Sequence, residues 1–215
     1  MKLLGILLVL SAFTSKGYSI VCKNCWHFAT TPCTEPTVSC PNDQICVAAL
    51  TMVIEGTKIT PQYSVSCGTQ SECNVTGSLN FIYGRILTGT SCCSTDNCDP
   101  PTPQLPVESS VKNGLTCRTC YSGTSDYCYT GDKIECTGDQ NKCGRMARTL
   151  TGTFNTKDAT RGCTTESFCG ILGNKKDSIN GLNVDMAMYC SDGATGLYSG
   201  LIYFVIVALL TTLLF

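Results

Sequence analysis

Eighteen cysteines lie between Cys22 and Cys190, and no other feature of the sequence limits the fold so severely. An even, dense set of this kind serves either as a cross-linked secreted framework or as metal and redox ligands in a reducing compartment. The N-terminus separates the two. Met1-Lys2 is a short basic start, and the apolar stretch Leu3 to Phe13 is shorter than the roughly 20 residues a membrane span needs. Gly17 and Ser19 stand at −3 and −1 of a cut before Ile20. This is the build of a secretory signal peptide, expected over 1–19. The CxxC pairs Cys22/Cys25 and Cys117/Cys120 would read as a redox centre or a zinc knuckle in the cytosol, but behind a leader that context is gone. The cysteines are therefore read as disulfides.

Their spacing contains an internal repeat. Cys22, Cys25 and Cys33 recur 95 residues later as Cys117, Cys120 and Cys128. Cys40, Cys46, Cys67 and Cys73 recur as Cys136, Cys143, Cys163 and Cys169, displaced by 96 or 97, and Cys92 corresponds to Cys190. Only the first copy has the further pair Cys93 and Cys98. Four of the chain's eight prolines fall in the stretch Asp99 to Pro106 between the copies, which favours an extended, semi-rigid spacer over a packed element. The expected organisation is a first module over 20–99, a proline-rich linker over 100–115 and a second module over 116–191. Modules of about 75 residues bury little core, and disulfides contributing about 2–5 kcal/mol each offset that deficit.

Between the cysteines the pattern is that of β-hairpins. Cys46 to Ile54 is rich in β-branched and apolar residues, Glu55 to Lys58 is a turn, and Ile59 to Cys67 returns as a strand. The second copy repeats this with Cys143 to Leu150, a turn region around Gly152 to Asp158 and a return to Cys163. A further hairpin runs from Cys73 to Cys92. No stretch between the two apolar ends has a sustained helical period. Each hairpin begins and ends near a cysteine, so the cysteines are expected to gather at one end with the hairpins projecting from it.

The C-terminal stretch Leu197 to Phe215 is apolar and uncharged and has no basic flank of the kind that usually follows a transmembrane helix. Upstream lies the small-residue run Ser191 to Gly196. Small residues, a spacer and a terminal apolar tail form the signal for glycosylphosphatidylinositol (GPI) attachment, with 192–215 as the removed propeptide. Ser191 is the preferred attachment residue because Gly193 then sits at ω+2, with Asp192 and Gly193 as alternatives; a terminal transmembrane helix is the competing reading. Removing the leader takes away Lys2 and Lys16 and leaves 13 basic against 16 acidic residues. That mild acidity argues against nucleic acid or anionic headgroups as the main partner.

No catalytic set is visible. His27 is the only histidine, there is no GxSxG, HExxH or EF-hand loop, and Asp132/Glu135 sit among turn residues where a solvated surface is the default. His27, beside Trp26 and the first CxxC, is expected to pack or hydrogen-bond at the module base. No cofactor or metal is expected. Asn74-Val75-Thr76 is an N-glycosylation sequon at the base of the first module's third hairpin.

The opening CxxC, the six-residue step from Cys67 to Cys73 and the closing Cys92-Cys93-Ser94-Thr95-Asp96-Asn97-Cys98 resemble the three-finger module of the urokinase-receptor and lymphocyte-antigen-6 family. That family closes each module with CCxxxxCN. Here Asp99 stands in place of the last Asn, and the second module lacks the closing pair, Cys190 running directly into Ser191. The resemblance spans Cys22 to Cys190 and implies an all-β, disulfide-rich fold of two tandem three-finger modules. It also implies a pairing: Cys22–Cys46, Cys25–Cys33, Cys40–Cys67, Cys73–Cys92 and Cys93–Cys98 in the first module. In the second it implies Cys117–Cys143, Cys120–Cys128, Cys136–Cys163 and Cys169–Cys190.

A cross-linked scaffold without reactive groups points to recognition of another macromolecule. The expectation is a non-enzymatic, GPI-anchored receptor or adhesion protein on the outer face of the plasma membrane. It would bind an extracellular or cell-surface protein through its hairpin fingers. The second module's missing closing motif also resembles the gamma-type phospholipase A2 inhibitors, which are soluble, and the apolar tail separates the two readings. Tyr63, Phe81, Tyr83 and Tyr121 are the aromatic contact candidates, each equally suited to filling the thin core.

Overall fold

The computed structural model describes residues 19–33, 36–152, 155–179 and 181–193. Apart from Ser19, the expected signal peptide lies outside the described residues, as does the propeptide beyond Gly193. The first module runs β1 (Val21–Lys23), β2 (Cys25–His27), β3 (Thr37–Ser39), β4 (Ile45–Glu55), β5 (Lys58–Gly68), a 3₁₀ turn (Gln70–Glu72), β6 (Thr76–Phe81) and β7 (Gly84–Cys93). The second runs β8 (Lys112–Arg118), β9 (Cys120–Ser122), β10 (Lys133–Thr137), β11 (Lys142–Gly152), β12 (Thr156–Thr164), helix α1 (Glu166–Leu172), β13 (Asn174–Ile179) and β14 (Leu182–Asp192). The fold is all-β apart from these short helical turns, and it consists of two tandem disulfide-rich modules.

The long hairpin β4–β5 closes at Gly56, whose φ of +59° lies in the left-handed region that a side chain disfavours. Alternation then divides its residues between two faces. Ala48, Leu50, Tyr63 and Val65 turn to one side, where they bury against the Cys25–Cys33 loop. Val47, Thr51, Val53, Gln62 and Ser64 turn to the other. The structure joins all 18 cysteines in nine disulfides. At each module base, cross-links stack on one another, as in Cys22, Cys40 and Cys67, whose sulfur atoms lie within 4.8 Å of one another. With every thiol oxidised, these clusters present no thiolate to a metal.

The module ends are tied differently. In the first, Asp96 accepts a hydrogen bond from the Val21 amide at 2.9 Å and Asp99 forms an ion pair with Lys23. The residue that replaces the family's Asn thus fastens the closing loop to β1 by charge. In the second, the Cys169–Cys190 disulfide ties α1 to the last strand.

Helix α1 departs from the expectation of no helix. Thr165 caps it, accepting a hydrogen bond from the Phe168 amide at 3.3 Å, and Glu166 lies in the first turn where it complements the helix dipole. Seven residues are too few for a sustained period, and only Phe168 and Ile171, one turn apart, are buried. The β12 strand also begins earlier than the predicted turn allows, at Thr156.

The proline-rich stretch is extended, and it is also docked. Pro100 and Pro103 are buried, Ser91 Oγ donates to the Pro101 carbonyl, and Leu105 packs on the Ala48–Leu50–Tyr63 cluster. At Gly89 a Cβ would lie 1.7 Å from the Gln104 carbonyl oxygen, so only glycine lets the segment cross β7 at this point. Strand β8 begins at Lys112, within the stretch read as linker.

The modules do not hang on this connection alone. One sheet continues from the first to the second in the order β13-β14-β11-β12-β6-β7-β4-β5-β2, with β6 and β12 paired at Asn80↔Cys163 and Leu79↔Thr164. The Ser78 amide donates to Thr165 Oγ1 (3.1 Å), Thr164 Oγ1 donates to the Ser78 carbonyl (2.9 Å), and Ser167 Oγ donates to the Thr76 carbonyl (2.6 Å). Behind them Leu79, Phe81 and Ile86 of the first module bury with Met146, Phe168 and Met188 of the second.

Candidate functional site: a cleft between the modules

The continuous sheet curls so that the faces of the two long hairpins look at each other across a cleft. It has two adjoining compartments of about 250 and 190 Å³ that share Thr51, Gln62, Thr88, Arg148, Leu172 and Met186. Both walls mix polar and apolar groups. The first module contributes a strip of hydroxyl and amide groups on β4, β5 and β7, with Thr51 and Thr88 hydrogen-bonded through their hydroxyls at 3.0 Å, beside Trp26, Val47, Val53 and Ile86. The second contributes Met146, Leu150, Leu172, Val184 and Met186 from β11, α1 and β14, beside Arg148, Asp158 and Thr160.

Two ion pairs lie in this cleft. Arg148 Nε donates to Asp158 Oδ1 at 2.8 Å across the β11–β12 pair, with both side chains largely shielded from solvent. Lys175 reaches Glu72 at 3.0 Å and bridges the modules at the other end. Tyr121 stacks on Phe81 at 5.9 Å between ring centres. Burial pushes the Tyr121 phenol above its ordinary pKa, reinforced by the carboxylates of Glu55 and Asp158 and opposed by Arg148. It stays a neutral hydrogen-bonding group at physiological pH.

The aromatic candidates divide by this geometry. Tyr63 is fully buried and its hydroxyl has no partner among the described residues, and Phe81 is 4 % exposed; both are core. Burial, and then the Asp99 carboxylate, holds the Tyr63 phenol above the usual tyrosine range. Tyr83, 64 % exposed, projects with Ile82 from the turn between β6 and β7. Only Tyr121 faces the cleft while keeping exposed surface.

His27 Nε2 contacts the Thr31 carbonyl at 2.7 Å and its ring lies edge-on to Tyr63 at 6.2 Å. Both are structural contacts, and neither supplies a nucleophile. Glu135 is ion-paired to Lys112, away from Asp132. Asn74 is exposed at a left-handed φ of +55°, immediately after Cys73. Ser191 is exposed on β14 opposite Cys143, Asp192 is ion-paired to Lys142, and Gly193 packs against Leu115.

Sequence reasoning missed the residues that make the cleft. Met146, Arg148, Phe168 and Met186 carry no motif. The one local signal was the Thr165-Glu166 cap, with Phe168 and Ile171 spaced to share a helix face.

Fold and disulfide framework together define a two-module three-finger protein. The u-PAR/Ly-6 domain pattern matches residues 19–101 and 113–195, and the chain belongs to that family. Domains of this kind generally mediate protein binding at cell surfaces, and family members are typically non-enzymatic. Among solved structures the chain is similar to mouse TEX101, at 14 % identity over 80 % of this chain and 99 % of that one, with a TM-score of 0.34. Among the described residues no helix is long and apolar enough to cross a membrane.

Proposed function

We propose that the chain is a GPI-anchored cell-surface binding protein that recognises a protein ligand through the faces of its hairpin fingers. An amphipathic segment of that ligand sits in the inter-module cleft. The observation that carries this reading is the cleft's amphipathic lining, in which both modules set hydroxyl, amide and charged groups beside aliphatic, aromatic and methionine side chains. Methionines adapt to an irregular apolar partner, and walls fixed by disulfides and a shared sheet lose little entropy on binding. Ser191 is the proposed attachment residue; the chain reaches it directly from the disulfide-bonded Cys190, so the anchor would leave from the cross-linked base. Asn74 is the proposed glycosylation site, supported by its exposure.

Phosphatidylinositol-specific phospholipase C should release the protein from intact cells, with a C-terminal peptide ending at Ser191 by mass spectrometry. Retention with the apolar tail intact would overturn the anchor. Appearance in the medium without lipase would favour the gamma-type phospholipase A2 inhibitor reading and make secreted phospholipases the first ligands to assay.

For the cleft, the full chain in mild detergent should bind cells bearing its ligand. Val184→Arg, a charge beside Leu150, Leu172 and Met186 in the cleft, should weaken that binding by about tenfold or more. Tyr83→Ala, at a finger tip, should leave it unchanged. The reverse pattern would place the ligand on the tips. Treatment with peptide N-glycosidase should shift the parent on a gel and leave Asn74→Gln unshifted; no shift in the parent would rule the sequon unused.

A further inference from the structure

The face of β11 that turns away from the cleft carries a second surface. Arg145 on β11 lies directly opposite Arg161 on β12 and Tyr189 on β14, and Arg118 on β8 lies directly opposite Lys133 on β10. These four cations line one open groove of about 730 Å³. Like charges placed directly across a strand pair repel, and a protein normally separates or neutralises them.

Neither pair is neutralised. Among the described residues, none of the four forms an ion pair or a side-chain hydrogen bond. Of the other described lysines and arginines only Lys58 also has no ion pair, so the unpaired positive charge of a mildly acidic chain is concentrated in this groove. Asp192 borders the groove too; its carboxylate is committed to Lys142, and attachment at Ser191 would remove it altogether.

Tyrosines hold the guanidinium groups in place without cancelling their charge. Arg145 lies over the Tyr189 ring at 4.4 Å and over Tyr127 at 5.5 Å. Arg118 and Arg161 share the Tyr129 ring at 5.2 and 5.9 Å. A guanidinium stacked on a ring keeps its N–H edge free, and that edge matches the oxygen pairs of a sulfate or carboxylate. The three tyrosines are each more than half exposed, which leaves ring surface for the C–H faces of sugars.

We propose that this groove binds a sulfated polysaccharide of the glycosaminoglycan class. A single small anion would be held in an enclosed site. An open groove with four cations spread over two strand pairs, and aromatic rings between them, suits a linear chain with repeating charges. The side chains involved alternate along β11 with Met146 and Arg148 of the cleft, so the groove and the cleft are separate binding surfaces and fail separately as sites, although Ser191, the proposed attachment residue, borders the groove.

The test uses the full chain in mild detergent on surfaces bearing heparin, chemically desulfated heparin, or phosphatidylcholine vesicles containing phosphatidylserine. Heparin should bind, and the desulfated chain should not. Affinity should fall with salt, because each neutralised sulfate releases a counterion. The double variant Arg118→Ser/Lys133→Ser should weaken binding by about tenfold or more and reduce the log–log salt slope by about two. The variant's melting temperature should equal or exceed the parent's, because a repulsion has been removed, which separates lost binding from lost folding. Lys58→Ser should bind as the parent does. Absence of heparin binding, equal binding of the desulfated chain, unchanged binding by the double variant, or binding to the vesicles alone would each overturn the proposal, the last in favour of a membrane-surface role.

Discussion

Replacing Phe168 by alanine should lower the free energy of unfolding by about 3–5 kcal/mol, the usual cost of deleting a fully buried aromatic ring. Phe168 has no exposed surface and packs with Leu79, Phe81 and Ile86 of one module and Met146 and Met188 of the other. The cavity would open at the junction, where the Cys73–Cys92 and Cys169–Cys190 disulfides hold each side in place and limit its collapse. Chemical denaturation with disulfides intact, followed by circular dichroism and the fluorescence of Trp26, gives the value. Trp26 lies in the first module although the substitution is in the second. A shift of its transition would demonstrate coupled unfolding. A loss below about 1 kcal/mol would mean that the modules do not share this core.

Gly162→Val should separate the sheet where the modules meet. A Cβ at this position would lie 1.8 Å from the Asn80 carbonyl oxygen, and backbone cannot yield as a flexible side chain can. The Asn80↔Cys163 and Leu79↔Thr164 pairings would be lost or displaced. A destabilisation of about 3 kcal/mol follows from overpacking of this kind. Calorimetry should then resolve two transitions where the parent has one, and hydrogen exchange should accelerate at Leu79, Asn80 and Thr164. Exchange unchanged at those amides would show that the strands tolerate the extra methyl groups and that their contact contributes little.

These two variants mark where legibility in the sequence stops. The β4–β5 hairpin could be read almost to the residue, because the turn at Gly56 and the alternation on either side are local properties of the chain. Helix α1 escaped because seven residues show no period. The proline-rich stretch was read as extended and is so. Its docking on β7 depends on the absence of a side chain at Gly89 and could not be inferred from the prolines. Tyr63 and Tyr83 were equivalent aromatic candidates in the sequence, yet one has no exposed surface and the other is 64 % exposed.

What the sequence by itself determined was therefore modular: a repeated cysteine spacing, two cross-linked units and hairpins between the cysteines. Each rests on neighbours close in the chain, where spacing and alternation carry the information. Only the tertiary structure decided that the units share one sheet and core, that two finger faces enclose a cleft, and that Arg118 and Arg161 gather around Tyr129. Ser78 meets Thr165 across 87 positions and Arg145 meets Tyr189 across a strand pair. Contacts of that reach leave no periodic trace, because the side chains become neighbours only when the sheet has formed and twisted.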